Sequence, residues 1–252
     1  MPLSVGLLGT GRLGTAVRDA AASQDDVEIL WAAGRGDRLQ DLPPVDVAVD
    51  VSRGDAVADH LAWARRTGTP LVVGTTGWDP ALVGPDVDVP VLVAPNFSLG
   101  VALVEQLART LARYAAHSPA PVDLAVTDTH HRHKVDAPSG TAIVLRDALA
   151  GGAGTEPDQV QTTSLRVGEV VGRHEVVAAS ALETITLSHE AHDRAVFATG
   201  ALTAARWLVG RGPGRWSMAD LAADHLSLAL SPSTTPSTTP PTPGAPAPHA
   251  AA

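Results

Sequence analysis

The chain has no cysteine and few aromatic residues: its 252 positions hold five tryptophans, two phenylalanines and one tyrosine. The first absence excludes disulfides, thiolate metal sites and a cysteine nucleophile. The second, beside a hydrophobic share of 44%, calls for a core of alanine, valine and leucine drawn from closely apposed elements, which favours helices packed on a sheet. Basic residues are outnumbered 18 to 27, giving a formal charge of −9. That balance argues against a nucleic-acid partner or an anionic membrane surface and leaves anion binding to local clusters. No apolar run is long enough to span a bilayer. The amino-terminal MPLSVGLLGTG lacks a basic leader and enters a glycine turn directly, so it reads as a first strand and the protein as cytoplasmic.

What is present is an alternation of strand-length apolar runs with helical patterns, the order expected of a parallel sheet covered by helices. Strands are predicted at 3–8, 27–33, 45–52, 70–77 and 90–94, with helices after the first glycine turn and over 55–66. A long amphipathic helix, 99–116, carries Leu103, Leu107, Leu111 and Tyr114 along one side. Beyond it the order changes to α+β: strands near 122–129, 162–167, 174–179 and 184–189, and a helix over 141–150. The fold class is therefore α/β, a Rossmann-type parallel sheet with a second, smaller α+β domain of mixed or antiparallel sheet. Residues 1–97 form the first domain, completed by a returning segment, 195–230. Residues 98–194 form the second. The Pro/Thr-rich stretch 231–252 has almost nothing to bury and reads as a disordered tail.

The turn Gly9-Thr10-Gly11-Arg12-Leu13-Gly14 stands between the first strand and a helical pattern of Leu13, Val17, Ala20 and Ala21. In that setting glycines permit a tight turn, let a pyrophosphate approach the backbone and expose amides at the positive end of the helix dipole. A ligand-free tight turn is the alternative. The second strand ends in Gly34-Arg35 with no carboxylate, so NADPH is expected to be accepted at least as well as NADH. Arg35 is equally readable as a plain surface arginine; Arg12 and Arg53 are further candidates for the same phosphate region. Gly74-Thr75-Thr76-Gly77 and Ala94-Pro95-Asn96-Phe97 follow strands and belong to the same ligand-binding edge. Taken alone, Phe97 reads more simply as core.

The densest chemistry lies in HHRHKVDAPSGTA, residues 130–142. Strand alternation delivers His130 and His131 to a strand end. Ser139 is placed to cap the next helix, and Ser139, Gly140 and Thr141 leave amides and hydroxyls open to a carboxylate at its N-terminus. Three readings compete for the histidines. A zinc site lacks a carboxylate at the usual spacing and is opposed by Lys134. A structural or interface cluster is the second. The third, an acid/base site in which Lys134 or His130 delivers a proton to a small anionic substrate, is the most economical beside a nicotinamide fold.

From Val5 to Leu226 the chain resembles the 4-hydroxy-tetrahydrodipicolinate reductase (dihydrodipicolinate reductase) family. The resemblance is most specific at His130-His131-Arg132-His133-Lys134 and Asp136 through Ala142. Gly9 to Gly14, Gly74 to Gly77, Ala94 to Ser98, Gly172 to Glu175 and His189 to Gly200 support it. It implies an oxidoreductase that transfers hydride from NADPH or NADH to a cyclic dicarboxylate with loss of water, in lysine and diaminopimelate biosynthesis. His130 and Lys134 would be the proton-donating pair, with Lys134 preferred, and His131 a substrate-carboxylate contact. Gly9, Gly14, Gly74, Thr76, Ala94 and Phe97 would line the cofactor, with Thr10, Gly11, Arg12, Leu13, Arg35, Thr75 and Asn96 beside them. No metal is implied, and a homotetramer built on the second domain is. The chain departs from the family in two places. Asp128 stands where glutamate is common, and the loop after Ala150 is short. Other readings are another NAD(P)-dependent reductase of small acids and a non-catalytic nucleotide-binding protein.

Overall fold

The computed structural model describes residues 1–84 and 86–230; segment 231–252, expected to be a disordered tail, lies outside them. The described residues form two sheets. Sheet A is parallel throughout. Its order is β10 (Gly214–Ser217), β5 (Pro90–Val93), β4 (Leu71–Val73), β3 (Val47–Asp50), β1 (Leu3–Leu8) and β2 (Val27–Ala33).

Its central strands β3, β4 and β5 are nearly continuous apolar runs because helices cover both faces. Val5, Leu7, Val47, Val49, Val72 and Leu92 pack with helices α1 (Arg12–Ala21), α5 (Ala195–Leu208) and α6 (Met218–Leu230). The alternate residues Leu8, Ala48, Leu71, Val73 and Val91 pack with α2 (Val57–Thr67) on the other face. Two strands are shorter than their apolar runs. β3 stops at Asp50 and β4 at Val73, where Gly74 and Thr75 both donate backbone N–H groups to the Asp50 carbonyl. β10, only four residues long and on the sheet edge, carries no periodicity that would have marked it as a strand.

Sheet B has the order β7 (Gln161–Arg166), β6 (Asp123–His130), β8 (Gly172–Ala179), β9 (Thr184–Ala191). Only β6 and β7 are parallel. Helices α3 (Leu99–Ala116) and α4 (Gly140–Ala153) lie together on one face, closing a core of Val104, Ala108, Ala112, Val126, Leu145, Leu149 and Val176. The face of α3 differs from the leucine stripe. Leu103 and Tyr114 are exposed, Leu107 and Leu111 half-buried, and the buried side is Val101, Val104, Ala108 and Ala112. The reason is close helix approach: a Cβ on Gly152 of α4 would come 2.5 Å from the Arg109 carbonyl oxygen and 2.8 Å from the Ala112 Cβ. Small residues form that seam, and leucines are displaced from it.

Candidate active site

Two adjoining crevices open at the carboxyl edge of sheet A, where open α/β sheets place ligands. The larger, of roughly 1480 Å3, runs between the two sheets. Sheet A contributes Gly11, Arg12 and Leu13 after β1, Gly74 and Thr76 after β4, and Asn96 and Phe97 after β5. The opposite wall carries His130, His131, Lys134, Ser139, Gly140 and Thr141. The walls are also joined directly. Asn96 Nδ2 donates to Thr141 Oγ1 at 2.9 Å, and Ser98 Oγ lies 3.2 Å from His189 Nε2.

On the sheet A side, Gly9 has φ of +119°, and a Cβ there would meet the Val51 carbonyl oxygen at 2.7 Å. A Cβ on Gly14 would meet the Gly9 carbonyl oxygen at 2.0 Å, so the helix start rests directly on the turn. Gly11, the N-cap of α1, has open space before it, offers no capping side chain, and is followed by no acidic residue in the first turn. The first amides of α1 are thus available to an anion, which suits a dinucleotide pyrophosphate. Gly74 admits the Phe97 ring, whose Cε2 would lie 2.2 Å from a Cβ at that position. Phe97 is 2% exposed, so it is a core residue with an edge on the crevice. Thr75 and Ala94 line neither crevice. The Thr75 hydroxyl donates to Asp50 Oδ1 at 2.8 Å, and Ala94 is buried in the core.

The smaller crevice, roughly 530 Å3, lies at the ends of β1, β2 and β3 and is lined by Gly9, Thr10, Arg35, Asp37, Arg53 and His60, among others. Here the structure adds something absent from the reading of the second strand. Residues 34–37 turn back so that Asp37 Oδ2 accepts from the Gly34 N–H at 2.7 Å, bringing a carboxylate to the corner beside Arg35. Arg53 is paired with Asp55 at 3.0 Å. Below, the buried Asp50 accepts from Ser52, Thr75 and His60, the last at 2.7 Å.

The other wall is built across strands. One rung of sheet B aligns Ser164, Asp128, His174 and His189 on β7, β6, β8 and β9, and the next pairs His130 with Arg166. Residues two apart on a strand share a face, so both rungs point under α4, and His130, His174 and His189 reach the crevice. Asp128 is fully buried. Its Oδ1 accepts from Ser164 Oγ at 2.5 Å, and its Oδ2 lies 3.0 Å from His130 Nδ1 and 3.1 Å from Arg166. Burial pushes the Asp128 carboxyl up, but bonds from Ser164 and Ser139 and the charge of Arg166 outweigh it and hold it below the usual range. Burial and the charge of Lys134 lower His130; burial and neighbouring His130 lower His174 to about 4.

Lys134 Nζ rests 2.8 Å from Asp136 Oδ1, which holds the Asp136 carboxyl down. The loop carrying Lys134 is pinned: the His131 N–H donates to the Val170 carbonyl at 2.7 Å and the Arg132 N–H to Gly168 at 3.2 Å. Ser139 caps α4, its Oγ accepting from the Ala142 N–H at 3.1 Å, and it also lies 3.3 Å from His174 Nε2. Its hydroxyl is therefore engaged, and Gly140, with open space before it, is the freer part of the helix mouth.

Sequence reasoning gave no role to His174, His189 or Arg166, whose signal is strand register and not local spacing. The same register brings ligand-type atoms of Asp128, His130 and His174 within 4.8 Å of one another, although no carboxylate has the spacing of a local metal motif. The Arg166 guanidinium sits against that carboxylate where a cation would stand.

The comparisons with known proteins cover both walls. A family model described as dihydrodipicolinate reductase, N-terminus, matches residues 3–97, and one described as dihydrodipicolinate reductase, C-terminus, matches residues 100–222. The chain is 38% identical over 243 residues to the 4-hydroxy-tetrahydrodipicolinate reductase of Acidiphilium cryptum, spanning 87% of this chain and 97% of that protein. To the protein of the same name from Gluconobacter oxydans it is 40% identical over 240 residues, spanning 86% and 95%. The dipicolinate-bound dihydrodipicolinate reductase of Paenisporosarcina sp. TG-14 shares the fold, with a TM-score of 0.71 over 86% of this chain and 98% of that one at 19% identity. With the glycine turn inside the first matched segment and the histidine-lysine loop inside the second, the chain belongs to the dihydrodipicolinate reductase family.

Proposed function

We propose that the chain reduces 4-hydroxy-tetrahydrodipicolinate to tetrahydrodipicolinate with loss of water, using NADPH or NADH; its relatives are named as 4-hydroxy-tetrahydrodipicolinate reductases. The observation that carries this reading is the shared crevice. An open helix mouth and glycine turn on one wall face a lysine, histidines and a second helix mouth on the other. A reduced nicotinamide supplies the hydride when bound; Gly9, Gly11 and Gly14, Thr10, Arg12, Leu13, Gly74, Thr76, Asn96 and Phe97 would hold it against sheet A.

The residues opposite have two tasks. Gly140, Thr141 and the first amides of α4 take one substrate carboxylate and His131 the other, so that a doubly charged ring is held in an otherwise acidic protein. Lys134 delivers a proton to the ring carbon next to the one that receives hydride, with His130 beside it. The contact with Asp136 holds the Lys134 side chain in place until substrate arrives.

At the adenosine end, Arg35 suits a 2′-phosphate and Asp37 a ribose diol, which supports use of both nucleotides. Residues 1–97 with 195–230 form the nucleotide-binding unit, and 98–194 form the substrate and assembly unit. Among the described residues no helix crosses the face of sheet B away from α3 and α4, and that face exposes Leu165, 55% accessible. We assign that face to contact with a second copy of the chain, as a homotetramer would require. Among the described residues no helix is long and apolar enough to cross a membrane.

The test is oxidation of NADPH and NADH by the purified chain with substrate freshly generated by the preceding synthase. Substrate-dependent oxidation is expected. Oxidation with simple 2-oxo acids instead would point to a different small-acid reductase, and nucleotide binding without turnover to a non-catalytic protein; either overturns the reading.

A further inference from the structure

Asp128 is fully buried behind the crevice wall, next to His130, and touches neither the nucleotide nor the substrate in the proposed reaction. A buried carboxylate is costly unless its charge is matched and its lone pairs are satisfied. Here Ser164 binds Oδ1, while Arg166 lies 3.1 Å and the Ser139 N–H 3.4 Å from Oδ2. So surrounded, the group is ionised and can only accept. The nitrogen 3.0 Å from Oδ2 is His130 Nδ1. A bare lone pair on that nitrogen would face the carboxylate lone pairs directly, so Nδ1 must carry the hydrogen. The contact falls short of hydrogen-bond geometry in this structure, and no group is hydrogen-bonded to that nitrogen. Such contacts tighten when a site is loaded.

The other side of the imidazole tells the same story. His130 Nε2 faces Gly172, the first residue of β8, where a Cβ would intrude to 3.1 Å. The missing side chain leaves that nitrogen free. The groups around the ring are Asp128, Arg166, Lys134 and His174, whose ring centroid is 5.1 Å away in an edge-on arrangement. Burial and Lys134 lower the pKa of His130 against the pull of Asp128, so the ring is neutral near pH 7.

We infer that Asp128 is a positioning residue that fixes His130 in the Nδ1–H tautomer, so that Nε2 offers a lone pair and Lys134 alone is the proton donor of the pair. What the tautomer serves rests on the function proposed above; the tautomer itself does not. His130 then accepts a hydrogen bond, from the Lys134 ammonium or from substrate, and steers the donor without replacing it.

Side-chain 15N NMR of the full chain at pH 7.5, read together with kinetics, tests this. In the wild type, His130 should be neutral with hydrogen on Nδ1. Asp128→Asn should lose that tautomer preference and lower kcat about 10- to 100-fold, the usual scale for a residue that orients a functional imidazole, with KM for the nucleotide unchanged. Ser164→Ala, which removes only the Oδ1 bond, should keep the tautomer and lose less activity. An Nε2–H or protonated His130 in the wild type overturns the inference, even if Asp128→Asn does not fold. So does an Asp128→Asn protein with normal kcat, or one that loses activity while the His130 spectrum stays put. Absence of turnover on the proposed substrate would strike the functional reading but leave the tautomer measurement intact.

Discussion

The two walls of the crevice are built by different means. On the sheet A wall the binding elements are backbone: a glycine turn, a helix mouth and strand ends, with six consecutive residues, 9–14, setting the geometry. On the sheet B wall the mouth of α4 is joined by side chains, Lys134 and four histidines, backed by Asp128, Arg166 and Ser164. Proline apart, no substitution deletes a backbone amide, so the glycine turn of the first wall is damaged chiefly by adding bulk. Side chains carry protons and charge, so the second is damaged by removal or by pH. That difference suits the division of labour: a nucleotide needs a fixed cradle, and proton transfer needs tunable groups.

The contrast can be pressed hardest at Lys134. Lys134→Ala should lower kcat by roughly 100- to 10,000-fold, the range for loss of a general acid, while nucleotide binding followed by fluorescence titration stays unchanged. Weakened nucleotide binding in that variant would mean that the two walls are not separable.

Acid should attack the side-chain wall next. His174 titrates near 6.5 when unfolded and at about 4 in the fold, so as pH falls the unfolded chain takes up the proton first. Its contribution is complete above pH 6.5 and declines as pH drops toward 4, a loss of about 3 kcal/mol from this group. His130 and His189, also lowered, act in the same direction. Urea unfolding at pH 7.5 and 5 measures the loss, and His174→Gln should flatten the dependence.

Bulk should break the other wall. Gly14→Ala forces a methyl toward the Gly9 carbonyl and should cost roughly 1–3 kcal/mol in stability, together with weaker nucleotide binding; thermal unfolding and titration read both. Gly11→Ala, which enters open space, should leave stability nearly unchanged. The smallest effect is expected at the adenosine corner. Arg35→Ala should weaken NADPH and spare NADH, and Asp37→Ala should do the reverse, each by about 2- to 10-fold, as for one exposed polar contact of ~0.5–1.5 kcal/mol. Parallel loss of both nucleotides in either variant would remove those residues from selection.

Legibility in the sequence followed the same division. The strand-turn-helix of residues 3–21 is local, so its boundaries can be read from period and glycines. The helix N-terminus after Pro138 is local too. Leucine spacing misplaced the buried side of α3, because α4 approaches closely enough that alanine and valine, not leucine, fill the seam. β10 was hidden by its shortness, and Asp37 by a turn that reverses over four residues. Asp128 was visible as a departure from the family pattern, but its partners Ser164, Arg166 and His174 lie 36, 38 and 46 positions away.

The sequence by itself determined the elements, the family resemblance and the two chemical clusters, because each of these is written in residues within one turn or strand of each other. Tertiary structure alone decided which buried groups touch: the carboxylate against His130, the guanidinium beside it, the histidines in register behind, and Asp37 at the nucleotide corner. The reason is that strand register and helix approach are set by packing over the whole sheet, and a one-residue slip would turn every one of those side chains to the opposite face.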